Sequence, residues 1–209
     1  MRSLLILLPC LTLFAQTPPP AAHKAPIMSL AAANYKESGS PSAPVQIELY
    51  TDYECPACRD FYMNTLPLLY QDYIQTGKVH LLHRDFPLPQ HQFTMTATNY
   101  ANAAGMIGKY DIVAAQIFKT QPEWEQNGNI DGEVAKVLSP ADLQKVRDLV
   151  KSAPPAMADT IKTDQAMGAR DNLHQTPTIV IIAKGKREVI GGAPPYSILK
   201  SYIDKKLAQ

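Results

Sequence analysis

The stretch Tyr50-Thr51-Asp52-Tyr53-Glu54-Cys55-Pro56-Ala57-Cys58-Arg59 decides how this chain is read. Just before it, Val45, Ile47 and Leu49 alternate with Gln46, Glu48 and Tyr50, the period-two pattern of a strand with one face more deeply buried. Just after it, Phe61, Leu66, Leu69, Tyr70 and Tyr73 recur at helical spacing up to Gly77, and Pro67 is expected to kink that helix part way along. The cysteine pair therefore sits where a strand gives way to a helix. A sulfur at Cys55 would lie beside unpaired backbone N–H groups and the positive end of the helix dipole, which favour its thiolate. Cys58 comes one turn later, close enough to attack a mixed disulfide formed on Cys55, so the pair can exchange electrons with the thiols of another protein. Pro56 suits the first helical turn because it needs no N–H partner and its ring holds φ near the helical value. Pro56 and Ala57 thus form the helix N-terminus that supports the thiolate. Cys55 is the expected nucleophile and Cys58 the resolving thiol, a redox-active pair that needs no further cofactor.

A third cysteine, Cys10, lies within an N-terminal segment that reads as a secretory signal: Arg2, the apolar run Leu4 to Phe14, then Ala15. The run is too short for the ~20 residues that a permanent bilayer anchor needs. Cleavage near Ala15 leaves Cys55 and Cys58 as the exported cysteines, and export means an oxidising compartment. A bridge closing so small a loop constrains the unfolded chain little, so a chemical role is the better reading than a structural one. The formal net charge is +1, with acids interspersed among the bases, which leaves no electrostatic footprint for nucleic acid.

Residues 16–40 are rich in Pro, Ala and Ser and read as a tether. A second strand is expected over Val79 to Phe86, ended by Pro87 and Pro89. From about Thr94 to Asn172 the pattern is helical, with Met95 to Met106, Ile112 to Phe118, a capped start at Ser139-Pro140, and a last helix over about Ala156 to Ala169. Thr178 to Ala183 reads as a buried strand, Lys184-Gly185-Lys186 as a turn, Arg187 to Ile190 as an antiparallel neighbour, and Pro195 to Leu207 as an amphipathic helix. The sum is an α/β core with a helical insertion.

Other chemistries fare less well. No second Cys/His pair with ligand spacing supports zinc. Two thiolates with His174 remain an alternative as a Cu(I) site. His23, His80, His83 and His91 show no ligand spacing among themselves, and His83-Arg84-Asp85 imitates a kinase catalytic loop without a Gly-rich phosphate loop upstream. Gln175-Thr176-Pro177-Thr178 stands just before the buried strand, where the proline requires the backbone to turn.

With both sites read, the chain resembles the DsbA-like thioredoxin superfamily. The residues that carry the resemblance are Ser42-Ala43-Pro44-Val45, Tyr50 to Arg59, Arg84-Asp85-Phe86-Pro87-Leu88 and Gln175-Thr176-Pro177-Thr178, within a match from about Pro41 to Leu207. The resemblance implies a thioredoxin fold, residues 41–85 and 172–209, with an inserted α-helical domain over 86–171. It implies that Pro177 is a cis-proline facing the cysteine pair and that Thr176 presents its backbone to a bound substrate strand. It further implies exported protein substrates carrying thiols or disulfides, and a membrane redox partner that recycles the pair. Two departures stand out. Many relatives carry a buried acid on the strand before the cysteines; here the aligned position is Leu49, while Glu48 points to the other face. The dimerisation domain of related isomerases has no counterpart in so short a tether, so a monomer is expected. An oxidase is the leading function, with a reductase or isomerase as the alternative, because the helix N-terminus lowers the Cys55 pKa while Asp52 and Glu54, if close, would raise it. A non-catalytic peptide-binding module is a further reading from a different class.

Overall fold

The computed structural model describes residues Tyr35–Gln209. The signal segment, Cys10, His23 and the tether as far as residue 34 lie outside the described residues. Five strands form one sheet in the order β1-β3-β2-β4-β5: β1 Glu37–Ser38, β2 Val45–Thr51, β3 Val79–Asp85, β4 Thr178–Ala183 and β5 Lys186–Gly191. Only β2 and β3 run parallel; β1, β4 and β5 join antiparallel. The parallel pair is joined by a crossover helix, as such a pair requires.

That crossover starts as α1, Pro56–Asp60, widens into a π-helical turn over Phe61–Thr65, and resumes as α2, Leu66–Leu69, before a second π-turn, Tyr70–Ile74. The disturbance expected at Pro67 thus takes the form of a widened turn directly ahead of it, where the Leu66 N–H reaches back to the Phe61 carbonyl. A wider turn relieves the clash between a proline ring and the carbonyl one turn earlier. With α9, Tyr196–Leu207, this crossover covers the face presented by Val45, Ile47 and Leu49, burying Phe61, Leu69, Leu81, Ile179 and Ile203.

Between β3 and β4 run α3 Thr94–Met106, α4 Tyr110–Lys119, α5 Gln121–Trp124, α6 Ile130–Val134, α7 Pro140–Ser152 and α8 Pro155–Arg170. Ser139 caps α7 by accepting from the Asp142 N–H, and Pro140 occupies its first turn. Helices α3 to α7 surround a core of their own built from Ala97, Ala101, Val113, Ile117, Phe118, Trp124 and Val146. Short α5 and α6 lack a periodic pattern and escaped the sequence reading. Helix α8 bridges both cores: Met157 joins the helical one, while Asp164 and Gly168 lie against the sheet through Arg84, Phe86 and Tyr50.

One boundary needs correction. The tether drawn over 16–40 overlaps the fold, because Glu37–Ser38 pairs with Leu81 and Leu82, and Lys36 is 2% exposed. A two-residue strand is too short to show a period, and an isolated lysine reads as a solvent-facing residue. Lys36 is buried because Asp85 and Asp164, far away in sequence, meet its ammonium at 2.9 and 2.5 Å. Folded structure therefore starts by Tyr35 rather than Pro41.

Candidate active site

Cys55 is the N-cap of α1, with extended backbone, and Pro56 opens the helix. Pro56 and Ala57 are exposed, Cys55 is 7% exposed, and Cys58 is fully buried one turn in. Both cysteines are free thiols. The strand end carries them to the edge of the helical insertion, so Tyr53, Cys55 and Cys58 belong to the insertion's apolar core rather than to the sheet's. The Tyr53 ring packs 4.6 Å from Phe118, and its carbonyl accepts from Gln121 Nε2 at 2.6 Å.

The two sulfurs differ in environment, and with it in acidity. The Cys58 side chain, more than burial opposes it, holds the Cys55 thiol down to about 6, helped by the Thr176 side chain and the Cys58 and Ala57 backbone N–H groups. The same burial pushes the Cys58 thiol well above its ordinary value. A sulfur at the helix start that ionises easily, beside an enclosed one that does not, is the division of labour a nucleophile and a resolving thiol need. The Cys58 Sγ meets the Asp52 backbone N–H at 3.5 Å.

Thr176 and Pro177 lie across from the pair, ahead of β4. The Thr176-Pro177 bond is cis. The Cys55 thiol donates to the Thr176 carbonyl at 3.3 Å, and the Pro177 carbonyl accepts from the Gly192 N–H at 2.8 Å. Thr176 Oγ1 is buried with no hydrogen-bond partner among the described residues, which leaves the hydroxyl for the Cys55 thiolate. All six residues singled out from the sequence, Cys55, Pro56, Ala57, Cys58, Thr176 and Pro177, belong to the two segments that this contact joins.

The acids nearest the pair in sequence are held by the insertion. Asp52 and Glu54 turn into the insertion: the Asp52 carboxylate accepts from the Glu54 and Leu88 N–H groups and from Thr94 Oγ1, and Glu54 Oε2 accepts from the Phe93 N–H. These contacts, which the sequence reading missed, engage the carboxylates that would oppose the Cys55 thiolate if they lay free beside it. Leu49 is buried and apolar, and Glu48 on the opposite face binds Arg84 and Arg187. The string His83-Arg84-Asp85 is architectural: Arg84 pairs with Glu48 and Asp164, Asp85 with Lys36. His174 is exposed, its Nε2 bound to Asn172 Oδ1 at 3.1 Å, and among the described residues no three His, Cys, Asp or Glu side chains cluster as metal ligands.

Comparison with known proteins agrees with this geometry. A family model described as thioredoxin matches residues 35–205. The chain is 26% identical over 179 residues to a probable disulfide bond formation protein D of Bacillus anthracis, covering 81% of this chain and 76% of that protein. It is 25% identical over 178 residues to disulfide bond formation protein D of Bacillus subtilis, covering 81% and 75%. Among solved structures, oxidised BdbD from Bacillus subtilis superposes with a TM-score of 0.69 at 21% identity, over 84% of this chain and 94% of that one. Alpha-DsbA1 of Wolbachia pipientis superposes with a TM-score of 0.67 at 22% identity, over 83% and 90%. The chain belongs to the thioredoxin family, and its fold, with helices inserted into the thioredoxin sheet, is that of these solved structures.

Proposed function

We propose that this chain is an exported thiol-disulfide oxidase, with Cys55 as nucleophile and Cys58 as resolving thiol. The observation that carries it is the contrast between the two sulfurs: Cys55 stands at the N-cap of α1, where its pKa is held down to about 6, and Cys58 is enclosed one turn in and reluctant to ionise. A thiolate favoured at Cys55 stabilises the reduced pair and so makes its disulfide the stronger oxidant. In the working direction a substrate thiolate attacks Cys55 Sγ, and Cys58 leaves with the bond's electron pair and takes up a proton. A second substrate thiolate then attacks the mixed disulfide and expels the Cys55 thiolate. The substrate gains a disulfide, and two electrons remain on the dithiol.

The Thr176 carbonyl faces Cys55, where an extended substrate segment can pair with it as an added strand. The dithiol then returns its electrons to a membrane redox partner. Protein D relatives are named for disulfide bond formation, which supports this direction over reduction or isomerisation. Export to the periplasm or cell envelope rests on Arg2, the Leu4 to Phe14 run and Ala15, and the protein acts as a monomer.

Redox titration of the pair against glutathione tests direction: an oxidase gives a potential above about −200 mV, and a thioredoxin-like value near −270 mV would make the chain a reductase. Trapping tests the roles. Cys58→Ser accumulates mixed disulfides on non-reducing gels and Cys55→Ser does not; the reverse pattern exchanges the assignments.

A further inference from the structure

The acids of the two strands that flank the cysteine pair are engaged elsewhere. Leu49 is apolar and buried, Glu48 is held by Arg84 and Arg187 on the far side of β2, and Asp85 is held by Lys36. The protein group that does meet Cys58 Sγ from the strand end is the Asp52 backbone N–H, at 3.5 Å. That N–H favours the thiolate of an otherwise disfavoured thiol.

The side chain of the same residue is gripped from the other side. Asp52 Oδ1 accepts from the Glu54 N–H and from Thr94 Oγ1, each at 2.7 Å; Oδ2 accepts from the Leu88 N–H at 2.7 Å and is approached by His91 Nδ1 at 2.9 Å. The carboxylate is fully enclosed. With both carboxylate oxygens engaged by these donors, the side chain fixes where its own backbone stands. Two of its three hydrogen-bond donors, Leu88 and Thr94, stand on residues 88–94, the segment that leads from β3 into α3. Glu54 Oε2 adds a second tie to that segment through the Phe93 N–H at 2.6 Å.

We propose that Asp52 is a positioning residue for the resolving half of the exchange: gripped by Thr94 and Leu88, it aims its own N–H at Cys58 Sγ, so that the segment 88–94 governs how readily Cys58 attacks. This rests on the dithiol reading above. It separates two steps that use different groups, since Cys55 is activated by Cys58, Thr176 and the start of α1, and Cys58 by Asp52.

A symmetrical nitrobenzoate disulfide, mixed with excess reduced protein, reads both steps by colour. In the first, the Cys55 thiolate attacks one sulfur of the reagent and expels one coloured arenethiolate, leaving an aryl mixed disulfide on Cys55. In the second, Cys58 loses its proton to solvent and attacks Cys55 Sγ, expelling the second arenethiolate and closing the Cys55–Cys58 disulfide. Thr94→Val, which keeps the side-chain shape and removes one donor, slows the second phase about tenfold while the first stays within about twofold, the scale of one lost hydrogen bond. Asp52→Ala does the same or more, and Thr94→Ser restores the original rate. Equal slowing of both phases, or an unchanged second phase in Thr94→Val, overturns the role of Asp52 and leaves the dithiol chemistry standing. No coloured product from the unaltered protein overturns the dithiol reading itself, and this proposal with it.

Discussion

On one face of the sheet, Val45, Ile47 and Leu49 disappear beneath α1, α2 and α9 among Phe61, Leu69, Ile179 and Ile203; on the other, α8 finds only a small apolar cluster around Tyr50, Leu173 and Val180. A charged network runs from that second face round the end of β3. Lys36 joins Asp85 and Asp164, Arg84 joins Asp164 and Glu48, and Arg187 joins Glu48 and Asp171. Asn102 Nδ2 adds a donor to Asp85 at 2.8 Å, and the Asp85 N–H another to Asp164 at 3.0 Å. Burial opposes the Lys36 charge, yet the two carboxylates outweigh it and raise its pKa. The apolar face tolerates changes of shape because burial is non-directional. The charged face tolerates little, since removing one member leaves another buried and uncompensated.

Conservative apolar substitutions on the two faces should therefore differ sharply. Lys36→Met keeps the length of the side chain and leaves Asp85 and Asp164 buried side by side; urea unfolding should show a loss of about 3–5 kcal/mol. A loss below that of an ordinary surface change would mean that the charges contribute nothing and that the contrast between the faces is false.

A titration gives a second way to break the comparison. His83 stands opposite Leu49 in the β2–β3 ladder, between the rings of Tyr62 and Tyr110, and burial pushes its pKa from 6.5 down to about 4. The folded protein therefore resists a proton that the unfolded chain accepts. Its contribution to stability is present above pH 6.5 and is lost as pH falls toward 4. His83→Leu should flatten the stability slope across that window by up to about 1.4 kcal/mol per pH unit. An unchanged slope would show that His83 titrates alike in both states.

The smallest effect should come from Leu49→Met, a swap of similar volume on the apolar face, with a loss under about 1.5 kcal/mol. Thermal unfolding of this variant beside Lys36→Met measures the asymmetry directly. Equal losses would remove it.

The asymmetry also explains which parts of the protein were legible before folding. The period-two run at Val45 to Leu49, the helical spacing after Cys58, the Ser139-Pro140 cap and the β-branched run Thr178 to Ala183 all announce themselves locally, because apolar periodicity and caps depend on neighbours in sequence. The cysteine pair at the strand–helix junction was visible for the same reason. Polar burial carries no such signature. Lys36 in a supposed tether, His83-Arg84-Asp85 in an apparent chance motif, and Asp52 and Glu54 as supposed opponents of the thiolate all resembled residues facing water.

By itself, then, the sequence determined the order of the longer elements from β2 onward, the sulfur pair and its place at a helix start, since each follows from residue spacing over a turn or two. The tertiary structure alone decided that Thr176 faces Cys55 across 121 positions of chain, at 3.3 Å. It alone buried Lys36 between two acids and turned Asp52 into the loop that precedes α3. The physical reason is that a charge or a donor is satisfied by whichever group the fold brings within about 3 Å, and that group's position in sequence is unrestricted.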